Sequence, residues 1–268
     1  MLAGKKVFIL RIGMAGSLAY EVHGATEDAL DVYNEILRVG KDYGLQRLGR
    51  HAYRNTHTEG GFPQNTIHYC PPTPEEGLAK FSAEHLWGGA PYEFPGSAGS
   101  DRDLHARNPI ELGWSKAVKF DHEFPGRAAL EKEAEHPSSQ PMTLVWNKED
   151  IFDVWKSVFD EGEPYKLMPL CEDVNPHIGS ASILTDKVLL DGKEIGLSSG
   201  RMFSPKTREM ISLGAIKPEY CIEGTEVIIV WGDPGKRQKN IRATLKAWPY
   251  LSENRNENID VTKLPSSK

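Results

Sequence analysis

The chain has 268 residues, more than one hydrophobic core ordinarily serves, so two structural units are expected. Its 39% apolar and 26% charged residues are ordinary for a water-soluble globular protein, and no run approaches the roughly 18 apolar residues of a membrane span. A formal charge of −6 counts against broad binding to a phosphate backbone, so neither nucleic acid nor a membrane is an expected partner.

Lys5 and Lys6 precede an apolar run that Arg11 ends after residues 7–10. This is too short for a secretory signal, and it reads as a short buried strand of a cytoplasmic protein. Gly13 and Gly16 break the chain before a second extended piece over residues 19–23. Thr26 is placed to cap a helix with Leu30, Tyr33, Ile36 and Leu37 on one face and Gly44 as its stop. A second, shorter helix is expected over about residues 48–56, ending before Gly60 and Gly61. From 71 to 108, Pro, Gly and Ser surround isolated aromatics such as Trp87, Tyr92 and Phe94, which reads as a long ordered excursion. A helix follows Pro125 to about Glu135, and the Pro- and Ser-rich stretch 136–141 marks a domain boundary.

Beyond a helix near 148–159, short β segments are expected at 180–184, 188–190, 194–198, 225–231 and 240–247. Asp191-Gly192 suits a tight hairpin turn, and Ile241, Ala243, Leu245 and Ala247 alternate as a half-buried strand does. The fold class is α+β. Residues 1–140 form one unit, 141–251 a small antiparallel barrel or sandwich, and 252–268 a polar tail. Cys70, Cys171 and Cys221 are scattered without CxxC spacing and read as plain thiols. The basic cluster Lys236, Arg237, Lys239 and Arg242 reads as a solvated hairpin turn. No phosphate loop, nucleophile elbow or His-Glu-x-x-His motif is present.

The segment Arg11-Ile-Gly-Met-Ala-Gly-Ser-Leu-Ala-Tyr-Glu-Val-His23 resembles the Thr-Gly-Glu-x-Gly-Tyr-Glu signature of folate-dependent aminomethyltransferases, the glycine-cleavage T-protein superfamily. Gly49-Arg-His-Ala-Tyr-Arg54 with Glu59-Gly-Gly61 is similar to that superfamily's Ala-Arg-Asp-x-Leu-Arg-Leu-Glu-Ala-Gly helix. Ile195-Gly-Leu-Ser-Ser-Gly200 with Phe203-Ser-Pro205 resembles a stretch of its terminal barrel, and Asn108-Pro-Ile-Glu-Leu-Gly113 and Phe124-Pro-Gly-Arg127 echo it in between. Ser17 and Ala19 replace the first Glu and the Gly of the signature. Together with Arg50-His-Ala-Tyr-Arg-Asn-Thr-His-Thr-Glu-Gly-Gly-Phe-Pro-Gln64, they resemble the branch that demethylates vanillate, 3-O-methylgallate and syringate onto tetrahydrofolate.

The resemblance implies specific roles. A reduced pterin offers an N–H beside an amino group, a two-donor edge suited to one carboxylate, and Glu21 falls at the retained family Glu. Tyr53 falls at the functional tyrosine of the demethylases, where a protonated hydroxyl can meet the phenolate developing on the leaving oxygen. Phe62 falls where that branch sets an aromatic against the pterin, and Arg50 or Arg54 is suited to a carboxylate of the aromatic acid or of the folate glutamate. His51, His57 and His68 are spaced in no compact ligand pattern, so no metal is expected.

Family members carry a further amino-terminal segment that forms one wall of the folate cavity. Met1 stands almost at the signature, so half the pocket is expected to come from a complementary amino-terminal half or a homo-oligomer. An aminomethyltransferase acting on a lipoyl arm, and a non-catalytic folate-binding module, share the same fold; Ser17 and the string around Tyr53 favour the demethylase.

Overall fold

The computed structural model describes residues 1–13, 18–70, 92–171, 181–251 and 260. Gly16, Ser17, Trp87, Ser180, the first part of the 71–108 excursion and nearly all of the tail lie outside these residues.

Strands β1 (Phe8–Arg11) and β2 (Tyr20–His23) pair antiparallel, Phe8 opposite His23 and Arg11 opposite Tyr20. The run at 7–10 is extended as expected but is not buried, since every residue of both strands is exposed. A two-stranded ribbon has no second layer of its own, and among the described residues nothing covers either face of this one. The following helix, α1 (Ala29–Gly40), is entered through a 3-10 turn over Thr26–Asp28. Thr26 therefore starts that turn and makes no side-chain cap. Only Val32 of α1 is buried, whereas Leu30 and Tyr33 of the anticipated inner face are 68% and 48% exposed. Gly44, at φ +71°, ends the unit as expected.

Helix α2 (Arg50–Glu59) begins and ends later than its apolar pattern suggests. Within the excursion, Tyr92–Glu93 (β3) pairs in parallel with Ala181–Ser182 (β5). Helix α3 (Arg127–Glu135) follows Pro125, and the proposed boundary at 136–141 leads into β4 (Gln140–Trp146).

The carboxy-terminal strands close into an antiparallel barrel in the order β10–β4–β8–β7–β6–β9, with β6 at Thr185–Leu190, β7 at Lys193–Ser204, β8 at Glu209–Ile216, β9 at Glu226–Trp231 and β10 at Lys239–Lys246. Closure leaves no free edge, so these backbone groups pair within the barrel wall. Ile241, Ala243 and Leu245 point inward as their alternation requires, while Ala247 lies past the strand and is exposed. Asp191 and Gly192 take φ of +50° and +78° and make the tight turn from β6 to β7. Helix α4 (Lys148–Lys156) is capped by Asn147, whose side chain accepts from the N–H groups of Glu149 and Asp150.

Leu144, Ile195, Ile216, Ile229 and Leu245 fill the barrel with Trp146 and Trp231, whose rings meet edge-on at 5.9 Å. Arg201 is also buried there. Its guanidinium lies over both indoles, 5.0 Å from that of Trp231, and donates to Pro169 O at 2.7 Å, which satisfies part of a charge otherwise costly to bury. Cys70 and Cys171 are buried and Cys221 half-buried, all as free thiols. The basic cluster lies at the β9–β10 hairpin, with Arg242 and Lys239 paired to Asp150 and Asp153 and Arg237 stacked 4.0 Å from the centre of the Tyr165 ring. Among the described residues, no helix is long and apolar enough to cross a membrane.

Trp146 Nε1–H donates to the hydroxyl of Ser212 at 2.8 Å, and the Ser198 hydroxyl stands 2.8 Å from the same oxygen. Ser212→Ala removes the acceptor and strands a buried indole N–H, so stability should fall by about 1–3 kcal/mol. Urea unfolding should record this as a lower midpoint with an unchanged slope.

Candidate active site

Helix α2 turns its exposed start, Arg50 to Ala52, away from the barrel and buries Arg54, His57, Thr58 and Glu59. The contact is polar and specific. Asn55 Nδ2 donates to Phe203 O at 3.0 Å, the Ser204 hydroxyl donates to Glu59 Oε1, and Leu251 N–H donates to Glu59 O at 2.9 Å. All of these reach the far end of β7 or the strand-exit segment after β10, so the helix is held by the barrel domain.

His68 completes the attachment. Its Nδ1 accepts from the backbone N–H of Gln64 at 3.0 Å, which places the proton on Nε2. Nε2–H then donates to Thr58 Oγ1 at 3.0 Å, and the Thr58 hydroxyl donates to Gly200 O at 3.1 Å. The Ser199 hydroxyl donates to His68 O. Gly200 sits at φ +62° where the β7–β8 register shifts, and a Cβ there would stand 2.4 Å from the imidazole, so only glycine admits the ring. Burial, reinforced by His57 and Arg54 nearby, pushes the His68 pKa down to about 3.

The end of α2 fixes the next residues. Phe62 N–H donates to His57 O at 2.9 Å and Gly61 N–H to Thr58 O at 3.3 Å, with Gly61 at φ +64°. This is a Schellman termination, and its side-chain partners are the Phe62 ring and His57, 5.9 Å apart and edge to face. Tyr53 lies one turn earlier, its ring 4.3 Å from His57. On the far side, Phe62 stands 5.4 Å from Trp114, which Tyr69 meets edge-on at 6.4 Å. Trp114 is delivered by an Asx turn: Asn108 Oδ1 accepts from the N–H groups of Ile110 and Glu111, and Glu111 Oε2 accepts from Asn108 N–H.

A continuous aromatic row, Tyr53–His57–Phe62–Trp114–Tyr69, results. The Tyr53 hydroxyl accepts from Gln64 Nε2 at 3.3 Å, which leaves its own proton available to donate. His57 Nδ1–H donates to Tyr53 O at 2.8 Å, so Nε2 is an acceptor, buried and without a hydrogen bond among the described residues. Burial lowers the His57 pKa and favours this neutral form.

Among the residues singled out from the sequence, Tyr53 and Phe62 are brought into one row, and Arg54 lies buried on the inner face of the same helix beside His68. Arg50 opens the helix on its exposed side. Glu21 stands apart on β2, exposed, with His23 Nε2 3.0 Å from its carboxylate. Gln64, His68 and Trp114 are additions. The first two stand next to residues already singled out, and Asn108-x-x-Glu111 before Gly113 is a capping signal that could have pointed to Trp114.

Residues 1–67 match the family described as the GCVT N-terminal domain. Over 93% of its length the chain superposes on about half, 51%, of a glycine cleavage system aminomethyltransferase T from Bartonella henselae, with a TM-score of 0.56 and 16% identity, which establishes a shared fold. By these matches the chain resembles the glycine-cleavage T-protein, or aminomethyltransferase, superfamily. The chain is 40% identical to a sesamin methylene transferase of Sinomonas sp. over 98% of its own length and 60% of that protein's. It is 31% identical to a syringate O-demethylase of Sphingobium sp. over 93% of its length and 55% of that protein's, and so spans little more than half of these relatives.

The depressed His68 pKa has a consequence for stability. The unfolded imidazole takes up a proton near its ordinary 6.5, while the folded one resists it down to about 3. Stability conferred by neutral His68 is therefore complete above about pH 6.5 and should decline by up to about 1.4 kcal/mol per pH unit below it. Urea midpoints at successive pH values should show a shallower decline between about pH 6.5 and 5 for His68→Gln, which does not titrate there.

Proposed function

We propose that this chain is part of a cytoplasmic, tetrahydrofolate-dependent methyltransferase that takes the methyl group of a methoxylated aromatic acid such as vanillate, 3-O-methylgallate or syringate. The observation that carries the reading is the Tyr53 hydroxyl, supplied with a hydrogen bond by Gln64 and free to donate its own proton beside a row of aromatic rings. Similarity to the syringate O-demethylase and the sesamin methylene transferase, whose names both concern aromatic ethers, supports that branch over the lipoyl-dependent one.

The residues suit both ligands. Phe62 and Trp114 offer flat faces to an arene or a pterin, and the unused acceptor of His57 suits a donor N–H or O–H on whichever ring lies there. Glu21 would meet the two-donor edge of the pterin, and Arg54 would supply a cation close to the row. Tetrahydrofolate, when bound, supplies the nitrogen that accepts the methyl group. The chain's own task is to stabilise what that methyl leaves behind. Tyr53 O–H donates to the ether oxygen as its bond to the methyl carbon breaks and negative charge develops on it. Gln64, by donating to the same hydroxyl, strengthens it as a donor. His68 sets the turn that carries Gln64 and is a positioning residue.

Glu21 and Tyr53 lie on different elements, and a further wall would bring a folate within reach of both. Its place is the uncovered apolar layer of the first 48 residues, where Phe8, Leu30 and Leu48 are each more than 60% exposed. Large apolar side chains left exposed in such number on so short a stretch suit an interface. We assign it to a complementary amino-terminal half or a second copy of the chain.

In an assembly holding both walls, Tyr53→Phe should lower single-turnover methyl transfer from a methoxybenzoate by about a hundredfold, because the hydroxyl acts mainly on the charge of the transition state. Folate affinity should stay within about twofold, since the lost interaction does not involve the pterin. Transfer at the parental rate would reduce Tyr53 to a packing residue and return the reading to an aminomethyltransferase or a folate-binding module. Glu21→Gln should weaken tetrahydrofolate by roughly 1.5–3 kcal/mol in calorimetric titration, and an unchanged affinity would remove Glu21 from the site.

A further inference from the structure

The barrel carries a second concavity that the row on α2 does not share. Beside α4, and lined from β4, β8 and β10, lies a cleft of about 570 Å³, within the range that takes a small organic ligand. Its lining is largely aromatic and apolar, including Trp146, Ile151, Phe152, Trp155, Phe203 and Met210. None of Tyr53, His57, Phe62 or Trp114 reaches it.

The charged groups at its edge are mostly spoken for. Arg242 binds Asp150 through Nε and Nη2 at 2.9 Å each, with Glu226 also close enough to favour its charged form. Glu209 accepts from the Tyr250 hydroxyl, and Lys148 stands 4.0 Å from Glu149. Arg208 is different: it is exposed at the edge of the cleft, and its guanidinium makes no hydrogen bond or ion pair among the described residues. It also holds φ at +61° in the turn from β7 to β8, a conformation that Asn or Gly adopts at lower cost. A position better suited to a small residue thus presents a long, unpaired cation beside an aromatic wall.

We propose that this cleft is a binding site for a flat aryl carboxylate, its ring against the aromatic wall and its carboxylate paired with the Arg208 guanidinium. A guanidinium meets a carboxylate through two parallel hydrogen bonds, and indole and phenyl faces suit a planar ring. The site is separate from the proposed methyl-transfer centre and does not depend on that reading.

Calorimetric titration of the full chain with naphthalene-2-carboxylate and with its neutral amide tests the assignment. The carboxylate should bind saturably at one site. Arg208→Asn, which tolerates the turn, should weaken it by about tenfold or more while leaving the amide within about twofold and the thermal midpoint equal or higher. Phe152→Ser, on an exposed side chain of the wall, should weaken both probes, and Tyr53→Phe neither. The proposal is overturned by absence of saturable binding, by an Arg208→Asn variant with parental affinity or with equal losses for acid and amide, by indifference to Phe152→Ser, or by loss of binding in Tyr53→Phe. Each of these outcomes would leave the cleft to an apolar segment of a partner protein or to solvent.

Discussion

The hydrogen-bond chain from Gln64 through His68 and Thr58 to Gly200 is what the candidate site depends on. It ties a loop, a helix and a barrel strand together at one buried imidazole, and it works only while that imidazole is neutral with its proton on Nε2. Burial secures the neutral state, and the accepted backbone N–H selects the tautomer. Without it, Gln64 would have no fixed height above the helix and the Tyr53 hydroxyl would lose its donor.

The remaining geometry follows from local chain chemistry. A Schellman ending needs a residue at positive φ and sets the side chain after it against the last turn, so Gly61 places Phe62 on His57. An Asx turn at Asn108 brings Trp114 to the other face of Phe62. Neither device requires the amino-terminal ribbon. The row can therefore be complete while β1, β2 and much of α1 lack a covering layer, which is why the residues expected to act together fall into two groups.

What could be read in the sequence divides along the same line. Helix α2, its glycine stop, the Asp191-Gly192 turn and the inward positions of β10 follow from periodicity and turn chemistry, and the structure contains them. Strands β4 and β8 escaped. Six consecutive residues of β8, Met210 to Ala215, are buried or nearly so, and without a solvent face they lack the alternation that announces a strand. The Ser-Ser-Gln-Pro run ahead of Met142 hides the start of β4. Residues 8–10 lie exposed where their pattern predicts burial, because an apolar run says that a surface will be covered without saying by what. The spacing of His68 from His51 and His57 excludes a metal site and shows nothing of its role, since its partners at 58, 64 and 200 meet only after folding.

Strand β7 serves two neighbours at once. One stretch of twelve residues lines the barrel with Ile195, docks the helix through Gly200, Phe203 and Ser204, and holds the loop after it through Ser199. Drift in this strand is therefore filtered twice, once for a sealed barrel and once for a well-placed tyrosine. Barrel residues that touch neither the helix nor a loop answer to the first demand alone. In a set of diverging descendants, β7 would change slowest of the barrel strands, and most of its tolerated changes would fall before Gly196, ahead of the point where the helix takes hold.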